Sequence, residues 1–85
     1  MIKGITKSGF EFKIEDETLN DWELFEIFDE LDENPSYIIR LAKKLLGAEQ
    51  YDQLKKKCTQ NGRVLFTLMN EEIFEILSAN QETKN

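Results

Sequence analysis

Residues 34–47, Asn34-Pro35-Ser36-Tyr37-Ile38-Ile39-Arg40-Leu41-Ala42-Lys43-Lys44-Leu45-Leu46-Gly47, form a helix whose two ends are both written in the sequence. Asn34 is a capping residue, and Pro35 falls at the first helical position, where its missing N–H has no partner to lose. Gly47 supplies the stop. Ile38, Leu41, Ala42 and Leu45 line one face, widened by Ile39 and Leu46, while Arg40, Lys43 and Lys44 fall opposite. This is the firmest boundary in the chain, and the other elements are read outward from it.

Downstream, Ala48 to Gln60 predicts a further helix, with Tyr51, Leu54 and Cys58 as its stripe and Lys55-Lys56-Lys57 near its C-terminus, where the helix dipole favours cations. Asn61-Gly62 signals a turn, and Arg63 to Phe66 reads as a short apolar bridge. The last helix is expected over Thr67 to Ala79, capped by Thr67 or Asn70. Met69, Ile73, Ile76 and Leu77 form its stripe, with Phe74 beside it.

Upstream, Asn20 to Glu33 predicts an acidic helix capped by Thr18 or Asn20, with Leu24, Ile27, Phe28 and Leu31 facing the core. Phe25 falls roughly 60° outside that stripe and Trp22 about 120° outside it. Two surfaces could cover them: the apolar face of the N-terminal segment, or a partner protein. In that segment, Met1 to Ile14, Phe10, Phe12 and Ile14 alternate with Glu11 and Lys13, and Lys7-Ser8-Gly9 supplies a turn. It reads as a β-hairpin that must pack on the helices, because an isolated hairpin is marginal in water. The expected fold is therefore mainly α: a hairpin (1–14) followed by a compact bundle of about four short helices (18–79) and a frayed polar tail (80–85), in one domain spanning 1–85. By strict count it is α+β.

The 85 residues suffice for one thin core. The charge is segregated. Residues 15–34 hold ten carboxylates and no basic residue, whereas 35–63 hold seven Lys or Arg against Glu49 and Asp52. Such segregation requires a counterpart, either neighbouring helices or a partner. The net charge of −6 argues against nucleic acid as the main ligand. The chain has one cysteine, Cys58, and no histidine to activate it, so Cys58 reads as a small core residue of an intracellular protein. Met1 to Gly9 has no apolar run of signal-peptide kind, and no stretch approaches the about 18 apolar residues of a membrane span. Asp29, Asp32 and Glu33 lack the order of a calcium loop, and no zinc spacing, phosphate loop or nucleophile elbow is present. No enzyme activity, cofactor or metal site is expected.

Two functional readings follow from the residues. In the first, Trp22 and Phe25, surrounded by Asp21, Glu26 and Asp29, mark a protein-binding surface of aromatics rimmed by charge. In the second, Arg40, Lys43, Lys44, Lys55, Lys56 and Lys57 form a basic surface on two consecutive helices, as in a small nucleic-acid-associated regulator. The acidity of the whole chain favours the first.

The first helix opens Asn20-Asp21-Trp22-Glu23-Leu24-Phe25, and the second runs out through Leu45-Leu46-Gly47-Ala48-Glu49-Gln50, with Asn61-Gly62-Arg63-Val64 following. With these features the chain resembles the tail assembly chaperones and neighbouring small tail-region proteins of long-tailed phages and prophages of Gram-positive bacteria. The resemblance covers most of the chain, from the hairpin to the last helix. It implies a gene between those for the major tail protein and the tape measure protein, and a product in the cytoplasm of the bacterial host. It also implies a non-enzymatic chaperone that binds the tape measure chain, keeps it soluble and recruits tail tube subunits. Whether the chain forms homo-oligomers stays open at this point.

Overall fold

The computed structural model of the chain describes residues 1–82. It opens with an antiparallel hairpin in which β1 (Ile2–Ile5) pairs with β2 (Glu11–Ile14), Gly4 opposite Phe12 and Ile2 opposite Ile14. The turn runs through Lys7 and Ser8 and closes on Gly9 at φ 95°. Phe10, Phe12 and Ile14 are buried while Glu11 and Lys13 face water, as the alternation requires. The Phe12 ring lies across Gly4, where a Cβ would come within 2.7 Å of it.

Four-residue strands do not hold in water by themselves. Here three polar attachments add to the buried aromatics. The Gln50 side-chain amide behaves like a neighbouring strand: its oxygen accepts from Lys13 N at 2.8 Å and its nitrogen donates to Lys13 O at 2.9 Å. The same nitrogen also donates to Leu46 O at 2.7 Å, which fixes the amide on its helix. At the turn, the buried Glu72 carboxylate accepts from Thr6 Oγ1 at 2.7 Å and Ser8 Oγ at 3.0 Å. Lys7 N donates to Glu75 at 2.6 Å.

The acidic segment differs from the sequence expectation at both ends. A single turn, α1 (Asp16–Leu19), comes first, and α2 (Trp22–Glu30) starts after a break at Asn20. The cap is Asp21 rather than Thr18 or Asn20: its carboxylate accepts from Glu23 N at 2.9 Å. A charged acceptor makes the stronger cap, and Lys44 sits against it. At its C-terminal end α2 stops at Glu30 rather than Glu33, and the chain tightens into turns through Leu31 to Glu33. Asp29, Glu30, Asp32 and Glu33 crowd this end, where the dipole disfavours anions and the last turn carries no basic residue of its own. Of the expected stripe only Leu24 is buried; Ile27 and Leu31 are half-buried, and Phe28 is 41% exposed.

α3 (Tyr37–Lys57) is entered through a turn over Asn34 to Ser36, its first bonds running from Tyr37 N to Asn34 O and from Ile38 N to Pro35 O. It is broken at Gly47 (φ 78°, ψ 165°), a conformation open in practice only to glycine, so the helices expected on either side do exist and change direction there. The second half ends at Lys57 rather than Gln60. The reason is the Asn61-Gly62 turn, with both φ values positive, which folds β3 (Thr59–Gln60) back on β4 (Arg63–Val64). The expected apolar bridge thus begins as a strand. α4 (Phe66–Glu82) runs three residues beyond the expected end, so 80–82 are helical rather than tail, and the rest of the tail, 83–85, lies outside the described residues.

One core joins the hairpin to the helices, and Ile14, Leu41, Leu54, Ile73 and Ile76 are its largest fully buried side chains. Leu41→Ala or Leu54→Ala should therefore cost about 2–5 kcal/mol, and Phe28→Ala about 1 kcal/mol or less, in urea denaturation. Gly47→Ala should cost about 1–3 kcal/mol through the backbone alone, because a Cβ there meets nothing within 4 Å.

Candidate functional site

The stripe of α4 aims Ile73, Ile76 and Leu77 into the core, and Phe66 lies on the same stripe seven residues before Ile73. Two turns earlier on the helix, it passes the edge of the core and stands 65% exposed. The β3–β4 turn carries Val64 out beside it. Across from them are Ile38, Ile39 and Tyr51 of α3, and together these side chains line an apolar groove of about 270 Å³ floored by Met69 and Ile73. A second compartment, about 390 Å³, continues from it between Phe28, Leu31 and Pro35 on one side and Phe66 and Phe74 on the other. Ile38, Phe66 and Asn70 line both, so the two compartments adjoin.

Its rim is charged differently at the two ends. Lys55, which lines the first compartment, holds its Nζ 5.3 Å from the centroid of the Tyr51 ring, and Lys43 Nζ lies 5.8 Å from the same centroid. Asp32 stands at the second.

Trp22 and Phe25 are 77% and 53% exposed, so the hairpin does not cover them. With Phe28 they make a ridge of exposed aromatics that winds about 120° round α2; Phe28 also lines the second compartment, while Glu26 lines a depression shared with Arg40 and Lys44 of α3. Asp21 belongs to a different contact. Lys44 Nζ is 3.1 Å from Asp21 Oδ2 and 3.4 Å from Glu23 Oε1, which ties α2 to α3. The Lys44 hydrogen bond, helped by the Glu23 N–H, holds the Asp21 carboxyl below the ordinary carboxylate range, and Asp21 in turn raises Lys44.

The basic residues are scattered. Arg40 stacks 4.8 Å from the Tyr37 centroid and lines a depression with Glu23, Glu26 and Glu30. Lys44 pairs with α2, Lys43 and Lys55 cover Tyr51, and Lys56 and Lys57 are exposed near the end of α3. They make no single strip of the kind a phosphate backbone follows.

Cys58 is buried. Burial pushes its thiol up, with the Glu72 carboxylate adding, which leaves it a poor nucleophile. Among the described residues no three His, Cys, Asp or Glu side chains come together as metal ligands, and no helix is long and apolar enough to cross a membrane.

Sequence periodicity missed the groove. Ile39, Phe66 and Phe74 were each visible as apolar residues beside a stripe or in a connection, but only the packing of α3, α4 and the β3–β4 turn brings them together. Comparison of the chain with protein-family models, curated proteins and solved structures gives no match.

A carboxyl whose native pKa lies below its unfolded one stabilises the fold fully above the unfolded value, and that contribution is lost as pH falls through the native value. Asp21→Asn retains a capping side chain but loses the charge. Parent and variant should therefore differ in melting temperature at pH 7, and the gap should close as pH falls from the ordinary value of 3.8 through the lowered native one.

Proposed function

We propose that this chain is a non-catalytic protein-binding module that accepts an amphipathic helix of a client protein in the groove between α3, α4 and the C-terminal end of α2. The observation that supports this reading is the pair of adjoining apolar compartments, with Phe28, Phe66 and Phe74 exposed along them. Apolar patches of this kind on a small chain are costly unless something covers them, and a groove lined on both sides by aromatics suits the apolar anchors of a helix.

The rim gives the occupant a direction. A client helix places a carboxylate beside Lys55 and a basic residue beside Asp32, since the reverse orientation sets like charges together. The resemblance to tail assembly chaperones supplies a candidate client, the tape measure protein of a long-tailed phage. Such a protein is long and helical, and its apolar faces need cover until the tail tube forms around it. On this reading the module works in the cytoplasm of the bacterial host.

The double variant Phe66→Ser, Phe74→Ser separates binding from folding, because both residues stand largely outside the core. It should keep the helical circular dichroism and the melting temperature of the parent. Its affinity for the client should fall by about 30-fold or more, as truncating aromatic anchors does. Calorimetric titration with helical segments of the tape measure protein of a long-tailed phage measures that affinity. Equal binding by parent and variant would contradict the assignment of the groove.

A further inference from the structure

We infer that Asn61-Gly62 is a site of spontaneous covalent modification: the Asn61 side chain closes on the Gly62 backbone nitrogen, and the isoaspartate that follows unpairs β3 from β4. Neither step depends on what occupies the groove.

The residue pair is suited to the reaction. The Gly62 nitrogen attacks the carboxamide carbon of Asn61. A nitrogen–carbon bond forms, the bond to the amide nitrogen breaks, and ammonia leaves with the proton that Gly62 N gives up. Water then opens the resulting five-membered succinimide at either carbonyl. Opening at the side-chain carbonyl leaves Asp at position 61, and opening at the main-chain carbonyl leaves isoaspartate, with the backbone routed through the former side chain. Because the attack is intramolecular, its rate depends on how freely the two atoms meet. Gly62 has no Cβ to shield its nitrogen, and a Cβ built there meets nothing within 4 Å, so the site is open on its outer side as well. No other asparagine in the chain is followed by glycine.

The fold restrains the pair only weakly. In the closed turn both residues have positive φ, 53° at Asn61 and 79° at Gly62. Ring closure needs rotation of the backbone between them, so the turn must first open. What holds it shut is a ladder of two residue pairs, Thr59 with Val64 and Gln60 with Arg63, and all four residues are exposed. So short and exposed a ladder opens at little free-energy cost.

The two products act differently on the turn. Asp-Gly fits the same positive-φ turn as Asn-Gly. Isoaspartate adds a backbone carbon to a loop of only two residues, so Gln60 and Arg63 can no longer pair in register. Val64, held in place by that ladder, lines the Tyr51 compartment. The modification therefore releases one wall of the groove and leaves the buried core in place.

Ageing the full chain at neutral and at mildly alkaline pH tests this, with a peptide of residues 57–66 in the same buffer as reference. Isoaspartate is read by transfer of labelled methyl groups from S-adenosylmethionine by an isoaspartyl methyltransferase, and peptide mapping gives its position. The parent should acquire isoaspartate at residue 61, faster as pH rises, at a rate within about tenfold of the peptide's, since exposed segments open at little cost. Asn61→Gly keeps a Gly-Gly pair suited to the turn and should acquire none there. In the isoaspartate form separated by ion exchange, the backbone amide resonances of Gln60, Arg63 and Val64 should move while those of Leu41 and Ile76 stay. Asn61→Asp should keep the ladder paired. A parent free of isoaspartate after the peptide has converted, or an Asn61→Gly chain that acquires as much as the parent, would overturn the modification. Unmoved ladder resonances in the separated form would overturn the unpairing.

Discussion

The fold depends on docking a hairpin that could not stand by itself. Phe10, Phe12 and Ile14 supply the apolar side of the contact, and Gln50, Glu72 and Glu75 hold its backbone and turn to α3 and α4. An 85-residue chain has room for one thin core, and most of it is filled by this face together with α3 and α4. α2 packs along α3, yet it buries only Leu24 fully there, with Ile27 and Leu31 partly covered. Its remaining aromatics face water because the core has no position for them. The same limit leaves Phe66 and Phe74 outside on α4.

Charge segregation has a partial answer inside the molecule. Arg40 and Lys44 lie against the carboxylates of α2, and the capping residue Asp21 is also half of the ion pair with Lys44. An exposed pair of this kind contributes little energy but fixes where α2 starts. The carboxylates on the far side of α2 and the lysines over Tyr51 are left over by this arrangement. They flank the two apolar surfaces, ridge and groove, that the core did not absorb.

Much of the fold was legible because its signals are local. The hairpin alternation, the Asn34-Pro35 entry, the Gly47 break and the Asn61-Gly62 turn each depend on a few adjacent residues. The cap of α2 was not legible, since Asn20 and Asp21 are equivalent by type and Lys44, 23 residues beyond Asp21, selects between them. The β3–β4 pair is two residues long on each side, too short for alternation to show. Phe28 fitted the apolar period of its helix, yet that end of α2 gives way under its own carboxylates and leaves the ring at the surface. Of the candidate site, Trp22 and Phe25 could be found from their angular position on one helix. The groove could not, because its walls come from three segments whose approach is a tertiary event.

The central claim is that α2 keeps its aromatic ridge outside the core. Trp22 is the only tryptophan in the chain, so its fluorescence reports this with no competing signal. The measurement is the emission maximum and acrylamide quenching of the protein at a dilution where it sediments as a monomer, repeated in denaturing urea. The account predicts emission close to that of tryptophan in water, full access to acrylamide, and little change in either on unfolding. A blue-shifted, shielded emission that moves to the red as the chain unfolds would place Trp22 in the core and contradict it.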